Sequence, residues 1–229
     1  MNKIRSPENS SGKGENSLHK KKKYVYPVRD WKEYLGESFL IVFSVLLALG
    51  LTEYISRIHE RETTNNILKE IVIELKNNKK ALVEMQEYNS LVLSKIDSAL
   101  INRTLQKKLV TKDEFHLEVI APNGVLFRYP LKEAWTIAIN NNIMSKTDIG
   151  TISILSRVYE NLDKISKVED EVARIIFDRA SRDPRKVRST LILIKDSYRA
   201  WAVDRIPGLF IEIDSCVGKI ERSIDTGIK

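Results

Sequence analysis

Fifteen consecutive residues, Ser38 to Thr52, carry no charge and read Ser-Phe-Leu-Ile-Val-Phe-Ser-Val-Leu-Leu-Ala-Leu-Gly-Leu-Thr. Wound as a helix, this run is apolar on every face, whereas a helix docked on a soluble core keeps one face polar. At 1.5 Å per residue it covers about 22 Å, short of the roughly 30 Å hydrocarbon thickness of a bilayer. The flanks extend it. With Tyr34, Leu35 and Gly36 before the run and Tyr54 and Ile55 after it, the helix reaches about 33 Å. Glu37 and Glu53 then lie near the ends, where water or headgroups reach them, and Trp31, Tyr34 and Tyr54 fall at the level of interfacial aromatics. The pattern predicts a transmembrane helix over residues 31–56, with Phe39, Leu40, Ile41, Val42, Phe43, Val45, Leu46, Leu47, Leu49 and Leu51 presented to lipid.

Two other readings compete for the same run. Ala48-Leu49-Gly50 is a small-x-small triplet after an apolar stretch, as at a signal-peptide cleavage site, but the leader before it is long and no polar region precedes the triplet. A buried helix of a soluble fold would show amphipathic periodicity, which the run lacks. A retained anchor is therefore expected. Ser44 and Ala48 also form a small-xxx-small pair, a weak pointer to close approach of two spans.

Charge distribution gives the sidedness and narrows the partners. Residues 1–37 hold nine basic and five acidic side chains, whereas the segment after the run holds 29 of the 38 basic and 26 of the 31 acidic ones. A basic excess before a first span is retained in the cytoplasm, so the N-terminus is expected inside, with residues 57–229 outside. Arg57 and Arg61 follow the span and oppose this bias. Residues 1–30 read as a disordered basic cytoplasmic tail, because they offer almost nothing to bury. Within them Lys20, Lys21, Lys22 and Lys23 form a candidate lipid-headgroup contact, unless they serve only as a topogenic signal. The near balance beyond the span argues against a nucleic-acid surface. The single cysteine, Cys216, excludes an intramolecular disulfide.

Between Glu53 and Ala121 the chain has neither Pro nor Gly, and apolar residues recur at Leu68, Ile71, Leu75, Leu82, Met85, Val92, Ile96 and Ala99, with Asn78 and Asn89 on the same seam. Alternating spacings of three and four predict one coiled-coil-like stalk helix running from the span to about Thr104. Its seam packs either against later helices of the chain or against a second copy, in which case the asparagines would fix register. Residues 115–129 switch to period two around Pro122-Asn123-Gly124, a β-hairpin signature. Pro130 suits the start of a short helix holding Trp135, Ile137 and Ile139. Asp148 suits the cap of a long helix with Ile152, Leu155, Tyr159, Leu162, Ile165, Val172 and Ile176 inward, ending near Arg179. Pro184 opens a helix burying Val187, Leu191, Ile194, Tyr198 and Trp201, Pro207-Gly208 ends it, and Leu209, Ile213, Cys216, Ile220 and Ile224 mark the last one. The expected fold is all-α: an N-terminal transmembrane helix continuing into a stalk packed with three to four further helices, plus one small β-hairpin.

No constellation names a reaction. His19, His59 and His116 lie in separate segments, and neither a phosphate-binding glycine loop nor a nucleophile elbow occurs. Cys216 falls on an apolar helical stripe, where an inert buried thiol is expected. The reading is of a non-enzyme that needs no cofactor and no metal and binds no nucleic acid. Its expected partners are membrane lipids and either another protein or a second copy of the chain.

Leu35-Gly36-Glu37 leading into Leu40-Ile41-Val42 and Leu46-Leu47-Ala48-Leu49, followed by Ile67 to Asn78 and later by Ala134-Trp135 and Leu155 to Tyr159, resembles a group of uncharacterised bacterial membrane proteins with one N-terminal span and a helical extracytoplasmic portion. The resemblance covers residues 34–165 and implies a single-pass protein of the bacterial inner (plasma) membrane. Where that group has Asn-Asn-Trp after the span, this chain has Leu51-Thr52-Glu53-Tyr54. No activity comes with the resemblance. The expected role is a membrane-anchored envelope scaffold or accessory subunit, and the alternative is an extracytoplasmic ligand sensor signalling through a partner.

Overall fold

The computed structural model describes residues 31–226; the tetralysine Lys20 to Lys23 and the rest of the expected tail lie outside the described residues. The chain divides into two units after Glu53. Helix α1, Trp31–Ile101, contains the expected span and is, among the described residues, the helix long and apolar enough to cross a membrane. Its apolar run is buried by nothing: every side chain from Phe39 to Leu51 is exposed, Phe39 at 72% and Leu40 at 66%. Two of the run's hydroxyls are satisfied within the helix, Ser44 Oγ donating to the Leu40 carbonyl (2.7 Å) and Thr52 Oγ1 to that of Ala48 (2.8 Å). Back-bonding of this kind lets a polar side chain sit in an apolar run without a water partner.

The second unit, from Tyr54 on, is a helical bundle. Beyond α1 it holds α2 (Arg103–Leu109), β1 (Val110–Thr111), β2 (Glu114–Phe115), α3 (Glu133–Asn140), α4 (Ile149–Phe177), α5 (Val187–Tyr198) and α6 (Ile206–Thr226). The seam of α1 faces inward along its length: Leu68, Ile71, Leu75, Leu82, Met85, Val92, Ile96 and Ala99 are all buried. They are buried by the same chain, which resolves the open choice between self-packing and a second copy. Lys76 reaches Glu221 (2.8 Å) and Lys79 reaches Asp214 (2.6 Å) on α6, while Lys195 on α5 pairs with Asp97, and Arg188 donates to the Leu100 carbonyl (2.9 Å). The stripes of α4, α5 and α6 complete the core with Leu155, Leu162, Ile165, Leu191, Ile194, Tyr198, Ile213, Cys216 and Ile220.

Helix ends follow local chemistry. α1 stops at Ile101 rather than near Thr104 because Asn102 turns extended and caps α2, its Oδ1 accepting from the Thr104 and Leu105 N–H groups at 2.9 and 3.3 Å. Asp148 caps α4 as expected, accepting from the Thr151 N–H at 3.0 Å. α3 begins at Glu133, three residues after Pro130. Pro207 falls in the first turn of α6, where its missing N–H costs nothing. The break before it is a π-helical turn over Arg199–Val203, in which Trp201 is partly buried, packed against the core with the Arg205 guanidinium 5.3 Å from its ring.

The hairpin is displaced from its expected place at residues 115–129. It lies at 110–115, with Val110 opposite Phe115 and Thr111 opposite Glu114. Lys112 and Asp113 both have positive φ (52° and 61°), the backbone of the two-residue turn whose twist matches paired strands. The Pro122-Asn123 turn does form, closed by the Gly124 N–H on the Ala121 carbonyl (3.1 Å), with Gly124 at φ 85°. Its flanks do not pair. Ile120 with Ala121 and Val125 with Leu126 are buried as adjacent residues rather than alternate ones. Tyrosines from the helices take the place of a cross-strand partner: the Tyr88 hydroxyl donates to the Gly124 carbonyl (2.7 Å) and accepts from the Asn123 N–H (3.1 Å), and the Tyr198 hydroxyl donates to the Val125 carbonyl (2.8 Å).

Leu75, fully buried, and Leu91, 47% exposed, lie on opposite sides of α1. Leu75→Ala is expected to destabilise the bundle by about 2–5 kcal/mol and Leu91→Ala by no more than about 0.5 kcal/mol. Thermal or denaturant unfolding of the full chain in detergent, followed by circular dichroism, checks the contrast.

Candidate functional site

A buried polar cluster organises one flank of the bundle. Glu74 lies three residues after Ile71 and four before Asn78, so the helical period carries it onto the edge of the seam. It is 6% exposed. Its carboxylate accepts the Ala134 N–H (2.8 Å), the Trp135 N–H (3.4 Å) and the Tyr159 hydroxyl (2.6 Å). The two amides belong to the first turn of α3, so Glu74 caps that helix from another element, an acidic group at the positive end of the helix. An acceptor-only carboxylate suits three donors. Burial and the bond to Glu74 hold the Tyr159 hydroxyl protonated far above its ordinary range. Trp135 stacks on Tyr159 with ring centroids 5.1 Å apart and planes 5° apart. Neighbouring Asn78 exchanges two hydrogen bonds with the Leu131 backbone, its Nδ2 donating to the carbonyl and its Oδ1 accepting from the N–H, both at 2.7 Å. It fixes a loop of its own chain, not a second helix. Asn89 is fully buried, and both of its amide atoms lack a hydrogen-bond partner.

Among the concavities that open on the bundle, two differ sharply in chemistry. The larger, about 900 Å³, is walled by α1 from Tyr54 to Leu68, the turn Ser145-Lys146-Thr147-Asp148, and Ser223 and Thr226 of α6. Its wall is rich in hydroxyls and guanidinium groups. Lys146 pairs with Glu60 (3.1 Å), and Asp148 receives Lys219 (3.3 Å) together with the Thr151 hydroxyl and N–H. Those contacts keep the Asp148 carboxyl below its ordinary range, the Thr151 hydroxyl contributing most. The smaller groove, about 400 Å³, is apolar; Ile67, Ile73, Leu131, Ala134 and Ile137 line it, with Glu70 and Glu133 at its edge.

The sequence-predicted residues are distributed as follows. The set expected to face lipid, Phe39 to Leu51, is exposed along α1, and the seam set is buried. His116 contacts Thr111 (2.5 Å) and Glu118 (3.0 Å) at the hairpin, away from any second ligand-type ring. Among the described residues no group of three or more His, Cys, Asp or Glu side chains is placed to hold a metal ion. Cys216 is buried on α6, where desolvation pushes its thiol up to about 12. Glu74 and the larger cavity were missed in the sequence. The signal for Glu74 was an acidic residue in phase with Ile71 and Asn78, which reads equally well as part of the Lys69-Glu70 to Glu74-Lys76 surface charge pattern. Comparison with known protein families, with curated proteins and with solved structures finds no match to the chain.

Glu74→Gln places an amide donor where an acceptor is required and is expected to cost about 1–3 kcal/mol, against about 1 kcal/mol for Tyr159→Phe. Measured by unfolding, the double variant should be less than additive, since the two groups share one bond. Cys216 supplies a pH test. Its raised pKa keeps the thiol neutral in the native state, so native protein should resist alkylation at about pH 8, where an unfolded cysteine is already partly thiolate. Any stabilisation from this neutral thiol is present below the unfolded pKa and is lost as pH climbs towards about 12. Rapid labelling of folded protein would contradict the burial.

Proposed function

We propose that the chain is a membrane-anchored, non-catalytic scaffold or accessory subunit that works through protein contacts. The observation that carries this reading is the exposure of the whole Phe39–Leu51 surface on a helix whose seam from Leu68 to Ala99 is buried within its own bundle. A contiguous apolar surface of that extent is not left in water by a soluble protein; lipid is its natural solvent. The N-terminal side is proposed to be cytoplasmic and the bundle extracytoplasmic, on the balance of basic residues around the run. A location in the bacterial inner membrane accords with the resemblance described above.

The contact role is supported by the apolar groove. Ile73 and Ile137 are 53% and 54% exposed there, side by side with Leu131, although the seam beneath them is closed. A photo-crosslinking residue at Ile73 or Ile137 of the full chain, irradiated in intact membranes, is expected to capture a different protein. The same probe at exposed Asp170 should capture none. Self-links alone would contradict the accessory-subunit role, and no protein adduct at either groove position would contradict the contact role altogether.

A further inference from the structure

Basic and acidic side chains nearly balance after the apolar run, but they are not evenly spread. Residues 103–118 and 178–188 together hold nine basic and five acidic side chains, an excess of four against an excess of three for everything after the run. Packing brings these two segments together at the end of the bundle where α1 stops. There α2 lies against α5, β2 lies against the 3₁₀ turn Arg179–Arg182, and Arg188 donates to the Leu100 carbonyl (2.9 Å). The positive charge of the bundle is therefore gathered on one surface.

Of its nine cations Arg185 meets a carboxylate, Asp183 (2.8 Å); the other eight are exposed, with no carboxylate within ion-pair distance among the described residues. Of the five acids, Asp183 is engaged by Arg185, Glu118 by His116, and Asp178 caps the Ala180 N–H (3.4 Å). Asp113 and Glu114 stand exposed at the hairpin. Lys112 holds the left-handed backbone of the hairpin turn (φ 52°), a conformation in which glycine is relaxed and a lysine is not, so the turn alone gives no reason for a cation there. Two large apolar side chains emerge among these charges. Ile101, 86% exposed, lies two residues before Arg103, and Phe177, 70% exposed, lies two before Arg179.

We propose that this end of the bundle binds an acidic polypeptide segment carrying apolar side chains among its carboxylates. The unpaired cations supply charge complementarity, and each guanidinium fork matches the paired oxygens of a carboxylate. Phe177 and Ile101 supply apolar contacts within the charged surface, the combination of aromatic and arginine that interfaces favour. Asp113 and Glu114 select against a uniform polyanion, which would press like charge onto both; a polypeptide with spaced carboxylates leaves room for them. The proposal rests on the reading that the chain works through protein contacts, and it names the chemistry of a partner at a surface formed by residues other than those of the apolar groove.

The test titrates the full chain in detergent against a fluorescein-labelled peptide of glutamates with Leu or Phe at every third or fourth position, read by fluorescence anisotropy. Wild type should bind it saturably. Lys107→Gln, Lys108→Gln, Lys112→Gln and Arg182→Gln together should weaken binding about tenfold or more, since each exposed ion pair contributes roughly two- to threefold, with an unchanged melting temperature. Lys69→Gln, Lys80→Gln, Lys167→Gln and Arg199→Gln, exposed cations elsewhere on the bundle, remove the same charge and should weaken it by about twofold at most. Two further peptides need no protein variant: with Gln for Glu binding should be lost, and with Ser for Leu and Phe it should weaken several-fold. Absence of saturable binding to wild type, or equal loss in the two protein variants, overturns the proposal. Undiminished binding of the serine peptide, or tighter binding of inorganic polyphosphate of equal charge, overturns the polypeptide in favour of a uniform polyanion. Failure here with capture at Ile73 or Ile137 overturns this surface alone; failure at both overturns the contact role with it.

Discussion

The constraint on which the molecule depends is a change of apolar pattern along one helix. From Phe39 to Leu51, α1 presents apolar side chains in every direction and buries none; from Leu68 to Ala99 it presents a single apolar seam and buries all of it. The two patterns need different surroundings. An all-round apolar surface is stable only where no water competes, and a one-sided stripe is stable only against complementary stripes. The second unit provides those in α4, α5 and α6, each with its own inward row at helical spacing. On the proposed reading, lipid provides for the first.

Polar groups inside the second unit do work that apolar packing cannot. A seam of leucines and isoleucines can slide or pair with a copy of itself, but Glu74 accepts three donors from α3 and α4, and Asn78 grips the backbone of Leu131. Each bond can form in one alignment only. The tyrosines behave similarly: Tyr88 and Tyr198 hold the loop around Gly124 through its carbonyls. Buried polar groups that are fully satisfied specify a unique arrangement. Here they explain how a short, irregular loop with few backbone partners is held against the helices.

Most of the fold was legible in the sequence, for identifiable reasons. The seam from Leu68 to Ala99, the Asp148 cap and the stripes of α4 and α6 are periodic and uninterrupted, and local spacing decides them. The hairpin was misplaced because alternation at Phe115-Leu117-Val119 and Val125-Phe127-Tyr129 is a local signal, whereas the backbone between them, at Asn123, Gly124 and Val125, is held by hydroxyls of Tyr88 and Tyr198, distant in the chain. Lys112-Asp113, neither of them glycine, takes the left-handed turn instead. The candidate site was less legible. The cavity joins three segments each separated from the next by more than seventy residues, and Arg57 and Arg61 were visible in the sequence only as an exception to the charge bias. Trp201 was assigned to the core by spacing, and within the π-turn at Arg199–Val203 it packs against the core only partly buried.

The exposed run also frames how the two concavities are to be understood. The apolar groove at Ile73 and Ile137 and the polar cavity beside Lys146 and Asp148 differ in the chemistry of their walls. The proposed role depends on whether the apolar run is held in a bilayer. Alkaline carbonate extraction of membranes from cells producing the full-length chain measures this directly. The account predicts that the protein remains in the membrane pellet and enters solution only with detergent; its quantitative release into the aqueous supernatant would contradict it.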